Sequence, residues 1–168
     1  MMGAVNSYFS LTKPKVVILL QITALCSVLS HDLIGESEIT RETMKTILIV
    51  LVGGYLTAGG ANAINMWYDR DIDPIMTRTS NRPLPKGEIE ANNALIFGIL
   101  ISVIGTIWFS LFANNVAAFW AAFSVVFYVF IYSMWLKRNT PQNIVIGGIA
   151  GSTPPVIGWA AAEEDLKI

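Results

Sequence analysis

Three carboxylates, Asp69, Asp71 and Asp73, crowd into five residues directly after an uncharged run that ends at Tyr68. If the helix of that run continues, Asn65, Asp69 and Asp73 recur at every fourth position and stack their oxygens on one face. Like charges stacked this way repel by about 0.2–0.5 kcal/mol, and a divalent cation between them relieves the repulsion. An all-oxygen donor set suits Mg²⁺ better than Zn²⁺. Downstream, Arg78, Arg82 and Lys86 place cations beside the presumed metal site. Guanidinium forks match phosphate oxygens bidentately, so carboxylates, Mg²⁺ and arginine together read as a clamp for a diphosphate. On spacing alone the same charges also fit a solvated, salt-bridged loop.

The elements that must position these groups are membrane spans. Apolar residues make up 54% of the 168 and charged ones 14%, too apolar a balance for a soluble domain. The net charge of −1 excludes a polybasic nucleic-acid binder. A spanning helix takes about 20 residues, which predicts an all-α, polytopic transmembrane bundle of five spans filling residues 1–168 as one domain. Charges, turn residues and length place the spans near 13–35, 44–68, 91–113, 116–136 and 142–162. Pro14 sits in the first turn of the first span, Gly53-Gly54 and Gly59-Gly60 suit close packing of the second, and Asn114-Asn115 supplies the hairpin turn. Pro154-Pro155 predicts a kink or break in the fifth. Lys13, Lys15, Arg70, Arg78, Arg82, Lys86, Lys137 and Arg138 all fall on the side of the N-terminus, so that side is expected to be cytoplasmic in a cell membrane. An apolar tail on the diphosphate would lie between spans two, three and four, against Trp108, Phe109, Phe112, Phe119, Trp120, Phe127 and Phe130. Cys26 reads as a small packing residue and His31 as an interfacial one.

The full string sharpens the reading. Asn65-Met-Trp-Tyr-Asp69-Arg-Asp-Ile-Asp73, followed by Arg78-Thr79 and Asn81-Arg82-Pro83-Leu84-Pro85, resembles the first aspartate-rich signature of the UbiA superfamily of intramembrane prenyltransferases. The opening Leu11-Thr12-Lys13-Pro14, the extra Asp71, and the stretch from Leu136-Lys137-Arg138 through Thr140-Pro141-Gln142-Asn143 to Gly147-Gly148 resemble its haem-farnesylating branch. The resemblance implies Mg²⁺ on Asn65, Asp69 and Asp73. It implies diphosphate contacts from Lys13, Arg78, Arg82, Lys137 and Arg138, with Asp69, Asp73, Arg78 and Lys137 in the catalytic roles. It further implies farnesyl diphosphate as donor and a vinyl group of haem B as acceptor, with haem O as product and a link to haem A synthase. Departure of the diphosphate is the step to be helped, because an allylic cation forms once the leaving charge is neutralised.

Members of that superfamily resemble nine-helix bundles with a second aspartate-rich motif, which does not occur here before Ile168. The resemblance therefore implies half of a metal site, weak or no activity of this chain alone, and a partner chain supplying the second motif. Three other readings stay open: prenyl transfer to an aromatic quinone precursor, a small channel or transporter subunit with a cation-selective acidic loop, and a non-catalytic remnant.

Overall fold

The computed structural model describes residues 2–34 and 39–163. Among them all regular structure is helical: α1 (Met2–Leu11), α2 (Pro14–Ile34), α3 (Arg41–Tyr68), α4 (Ala91–Phe112), α5 (Asn115–Asn139) and α6 (Asn143–Ala162). The chain from α2 to α6 supplies five helices long and apolar enough to cross a membrane. Their outer faces carry large apolar side chains, among them Leu19, Leu48, Leu111, Phe119 and Ile144, each more than half exposed. Helices apolar on all sides are helices whose solvent is hydrocarbon.

Local chemistry sets the ends. Pro14 opens α2, where its missing N–H costs nothing. Thr40 caps α3 by accepting from the Thr43 N–H, and the Thr43 hydroxyl accepts in turn from the Thr40 N–H at 3.0 Å. Asn114 Oδ1 accepts from the Ala117 N–H at 2.8 Å to start α5. Its Nδ2 donates to the Ala160 carbonyl at 2.5 Å, so one buried side chain both caps the hairpin and ties it to α6.

Interhelical distance is set by glycine. At Gly60 of α3, a Cβ would overlap Ser102 Oγ and lie 2.6 Å from the Gly98 carbonyl oxygen of α4. At Gly105 of α4 it would lie 2.8 Å from Leu56 and Thr57 of α3. This is the small-residue seam by which helices associate in lipid. At Gly158, α6 meets the Ala24 carbonyl of α2 in the same way.

Two features differ from the sequence reading. The first span does not open the structure, because α1 precedes it. Sequence periodicity does not announce this helix; tertiary contacts hold it, with Ser7 donating to Glu88 at 2.7 Å, Tyr8 edge-on to Phe97 and Leu11 packed against Ala63, Met66 and Ala94. Nor does Pro154-Pro155 break the last helix, since α6 runs through both. Pro154 cannot serve the Ala150 carbonyl, and the Thr153 hydroxyl donates to that oxygen instead at 2.8 Å. Ser27 of α2 donates to the Pro155 carbonyl at 2.6 Å, fixing the proline turn against its neighbour.

Candidate functional site

The chemistry-bearing residues gather where α3 stops. After Tyr68 the backbone tightens into short 3₁₀ turns at Asp69–Asp71 and Asp73–Ile75, and Pro74, which has no N–H to continue an α-helix, sits at the start of the second. The uninterrupted column of Asn65, Asp69 and Asp73 expected from sequence is thus not formed. Asn65 and Asp69 stay one helical turn apart, with Asn65 Nδ2 donating to Asp69 Oδ2 at 3.0 Å, whereas Asp73 is placed by the loop. Thr79, itself buried, donates to the Asp73 backbone carbonyl at 2.9 Å, and Arg82 donates to both Asp73 carboxylate oxygens at 2.7 and 2.8 Å.

All three oxygen-bearing side chains are nearly sealed, with Asn65 at 3%, Asp69 at 0% and Asp73 at 2% exposure. Buried carboxylates need cations, and three elements supply them. Lys137 of α5 reaches Asp69 Oδ2 at 2.5 Å, Arg82 comes from the loop, and Lys13, between α1 and α2, donates to Asn65 Oδ1 at 2.7 Å. Five of the six side-chain oxygen and nitrogen atoms of this triad bear on a cation or on one another; the sixth, Asp69 Oδ1, is buried with no hydrogen-bond partner. An orphaned, sealed carboxylate oxygen beside an amide oxygen and a second carboxylate is an acceptor set suited to a hard cation, so the residues fit Mg²⁺.

Lys13 reaches the cluster by an unusual backbone. Its φ of 51° lies in the left-handed region, a conformation that costs a non-glycine residue about 1 kcal/mol and persists only where the surroundings enforce it. They do: Asn62 Nδ2 donates to the neighbouring Thr12 carbonyl at 3.1 Å, and the Thr12 hydroxyl meets the Tyr55 hydroxyl at 2.8 Å. The stem is half-buried but the ammonium is enclosed, and desolvation, aided by the Arg82 and Lys137 charges, lowers its pKa from 10.5 to about 7. An unfolded lysine keeps its proton up to about 10.4, so between pH 7 and that value the unfolded state binds more protons and stability rises with pH. In detergent without added divalent cation, the melting temperature of the wild type is expected to climb from pH 7 to pH 9.5. Lys13→Met should flatten that slope; an equal slope in both proteins would refute the assignment.

Of the other basic residues expected at the site, Arg138 and Arg78 are placed elsewhere. Arg138 donates to both oxygens of the exposed Asp71 at 2.7 and 2.9 Å, donates to the Tyr68 carbonyl and lies over the Tyr68 ring, strapping the end of α5 to the α3 turn. Arg78 and Lys86 are exposed on the loop. Sequence reasoning missed Ser133, which is fully buried, accepts from Asn65 Nδ2 at 3.0 Å and donates to the Tyr128 carbonyl. Ser133 lies four residues before Lys137, as Asn65 does before Asp69, and the two pairs face each other. They meet because α5 winds as a π-helix from Phe127 to Leu136, a form that recurs at functional sites. No sequence signal marks that winding.

Beneath the polar cluster lies a cavity of about 300 Å³. It runs along α3 from Asn62 to Val50 and is walled by α2, α5 and α6, with Leu20, Ala58, Tyr128, Tyr132 and Ile157 among its lining. This corrects the apolar wall expected from sequence: of its seven aromatic residues only Phe109 lines the cavity, and Phe112, Phe119 and Phe130 face outward. Small residues on α3 and α6 leave the space, and Phe112, Phe119 and Phe130 cover the bundle's exterior.

A bundle of apolar spanning helices with a buried cation-and-carboxylate cluster at one end, set over an apolar cavity, defines a polytopic membrane protein that concentrates its charge at one site. The chain belongs to the UbiA prenyltransferase family, whose model matches residues 18–168. It is similar to the protoheme IX farnesyltransferases of three bacteria. With that of Pelagibacter ubique it is 46% identical over 163 residues, covering 97% of this chain and 52% of the relative. With that of Bartonella henselae it is 45% identical over 165 residues, 98% of this chain and 51% of the relative. With that of Parvibaculum lavamentivorans it is 44% identical over 167 residues, 99% and 50% respectively. The chain thus spans about half the length of the curated relatives it matches. No solved structure matches it.

Proposed function

We propose that this chain carries the diphosphate-binding half of a Mg²⁺-dependent farnesyl transfer from farnesyl diphosphate to a vinyl group of protoheme IX, giving haem O. The observation that carries the reading is the partnerless Asp69 Oδ1, sealed among Lys13, Lys137 and Arg82 directly above an apolar cavity. Mg²⁺ held by Asn65, Asp69 and Asp73 would neutralise part of the leaving diphosphate's charge. Lys13, Lys137 and Arg82 bind the remainder, already oriented by the carboxylates and amide they touch. The C–O bond of the farnesyl donor breaks, the diphosphate leaves with the electron pair, and the vinyl carbon of the acceptor takes up the allylic cation. Addition of water to the resulting haem-centred cation, with loss of one of its protons to solvent, completes haem O. The apolar lining of the cavity holds water away from the allylic cation until transfer. The proposal sets the chain in the cell membrane with its N-terminus and Asp-rich loop on the cytoplasmic side, a reading supported by the excess of Lys and Arg at this end of the bundle.

The test uses membranes carrying this chain alone, or with the C-terminal half of the Pelagibacter relative, supplied with haem B, farnesyl diphosphate and Mg²⁺. Haem O detected by mass spectrometry with the added half, and lost on chelation of Mg²⁺, is the expected result. Inserted, folded protein that yields no haem O under either condition would refute the proposal.

A further inference from the structure

An asparagine amide has nearly the same shape either way round, so what Asn65 presents to a cation depends on which end its neighbours hold. Three side chains touch it. Its Nδ2 donates to Asp69 Oδ2 and to Ser133 Oγ, both at 3.0 Å, which spends both amide hydrogens, and its Oδ1 accepts from Lys13 at 2.7 Å. Reversed, the amide would set N–H groups against the Lys13 ammonium and its oxygen against the Asp69 carboxylate, donor on donor and acceptor on acceptor.

The three neighbours are not equivalent. Lys13 and Asp69 are charged members of the cluster, and Asp69 Oδ2 also receives Lys137. Binding of a cation at Asp69 and of diphosphate at Lys13 would engage both of them. Ser133 is uncharged and fully buried, and its one hydroxyl hydrogen is already committed. Ser133 Oγ donates to the Tyr128 carbonyl at 2.8 Å, five residues back, the partner that the π-winding of α5 presents. A carbonyl oxygen only accepts, so the hydroxyl turns its lone pairs to Asn65 and can only accept from it. The backbone of α5 thus orients the hydroxyl, and the hydroxyl orients the amide. The amide oxygen is left on the side of the cluster where Lys13 now lies.

We infer that Ser133 is a positioning residue, which holds the Asn65 amide with Oδ1 toward the cation site and so sets the affinity of that site for a hard divalent cation. The inference rests on the Mg²⁺-dependent reading above and assigns it a group outside the aspartate-rich string.

The experiment titrates Mn²⁺, a cation that shares oxygen ligands with Mg²⁺, into the whole chain purified in detergent and reads the free ion by electron paramagnetic resonance. Wild type is expected to bind Mn²⁺ and to release it to excess Mg²⁺. Ser133→Ala should weaken binding by about tenfold or more, the loss that follows removal of a group orienting a metal ligand. Ser133→Thr keeps the hydroxyl and should return the affinity toward the wild-type value. Asn65→Ala should also weaken binding, and adding Ser133→Ala to it should change little further, because the hydroxyl acts through the amide. Equal affinity in wild type and Ser133→Ala overturns the positioning role, as do losses that multiply in the double variant. If Ser133→Ala does not accumulate, Ser133→Cys, which keeps the shape but weakens the acceptor, carries the same comparison. Wild type that binds no Mn²⁺ overturns the metal-dependent reading, and the positioning role with it.

Discussion

Under the proposed farnesyl transfer, with the complementing half present, replacing Asp69 by alanine is expected to lower haem O formation by at least about 10²–10³-fold, the loss that follows removal of one preorganised electrostatic partner of a reacting group. Asp69 is the point on which the site converges: it accepts from Asn65 and Lys137 through Oδ2 and holds a free acceptor at Oδ1. The substitution also leaves the Lys137 ammonium beside a void. Breaking a buried ion pair costs about 3–5 kcal/mol, and the low end applies because Lys137 keeps 28% of its side chain exposed. Function and folding are separated by Asp69→Ala combined with Lys137→Met. Removing both charges should restore accumulation in the membrane toward the wild-type level while haem O formation stays lost. Activity recovered by the double variant would show that Asp69 serves only to hold the fold.

The second large effect is structural. Gly60→Val is expected to destabilise the folded chain by about 3 kcal/mol, the upper end of the cost of overpacking, because the added carbons would meet the α4 backbone at Gly98 and Ser102 as well as the Ser102 hydroxyl. The α3 and α4 axes would have to separate, and Asn65 lies little more than one turn further along the same helix. Thermal unfolding in detergent should show a large drop in melting temperature. Gly148→Val, at a position where a Cβ meets nothing within 4 Å, serves as the control and should unfold near the wild-type temperature. Equal stability of the two variants would refute the seam.

Much of the architecture follows from chemistry written along the chain. Uncharged runs long enough for a bilayer mark the five spans, and Pro14 and Asn114 mark boundaries that the helices respect. The Asp-rich string marks where a membrane protein spends charge, which apolar surroundings tolerate only with a purpose. Pro154-Pro155 misleads because the consequence of proline in lipid depends on whether a neighbouring hydroxyl can serve the freed carbonyl, and Thr153 does.

What the sequence by itself determined is which groups can do chemistry and which segments lie in the membrane, since both depend on residue type and local spacing. Only the tertiary structure decided which cation meets which oxygen. Arg82 and Arg138 look alike in the sequence, yet one holds the buried Asp73 and the other the exposed Asp71. Lys13 lies 52 residues from Asn65, and Lys137 lies 68 from Asp69. Such pairings are settled by the glycine-set approach of the helices, the left-handed turn at Lys13 and the π-winding of α5, which are balances of packing over the whole bundle and leave no periodic trace in one chain.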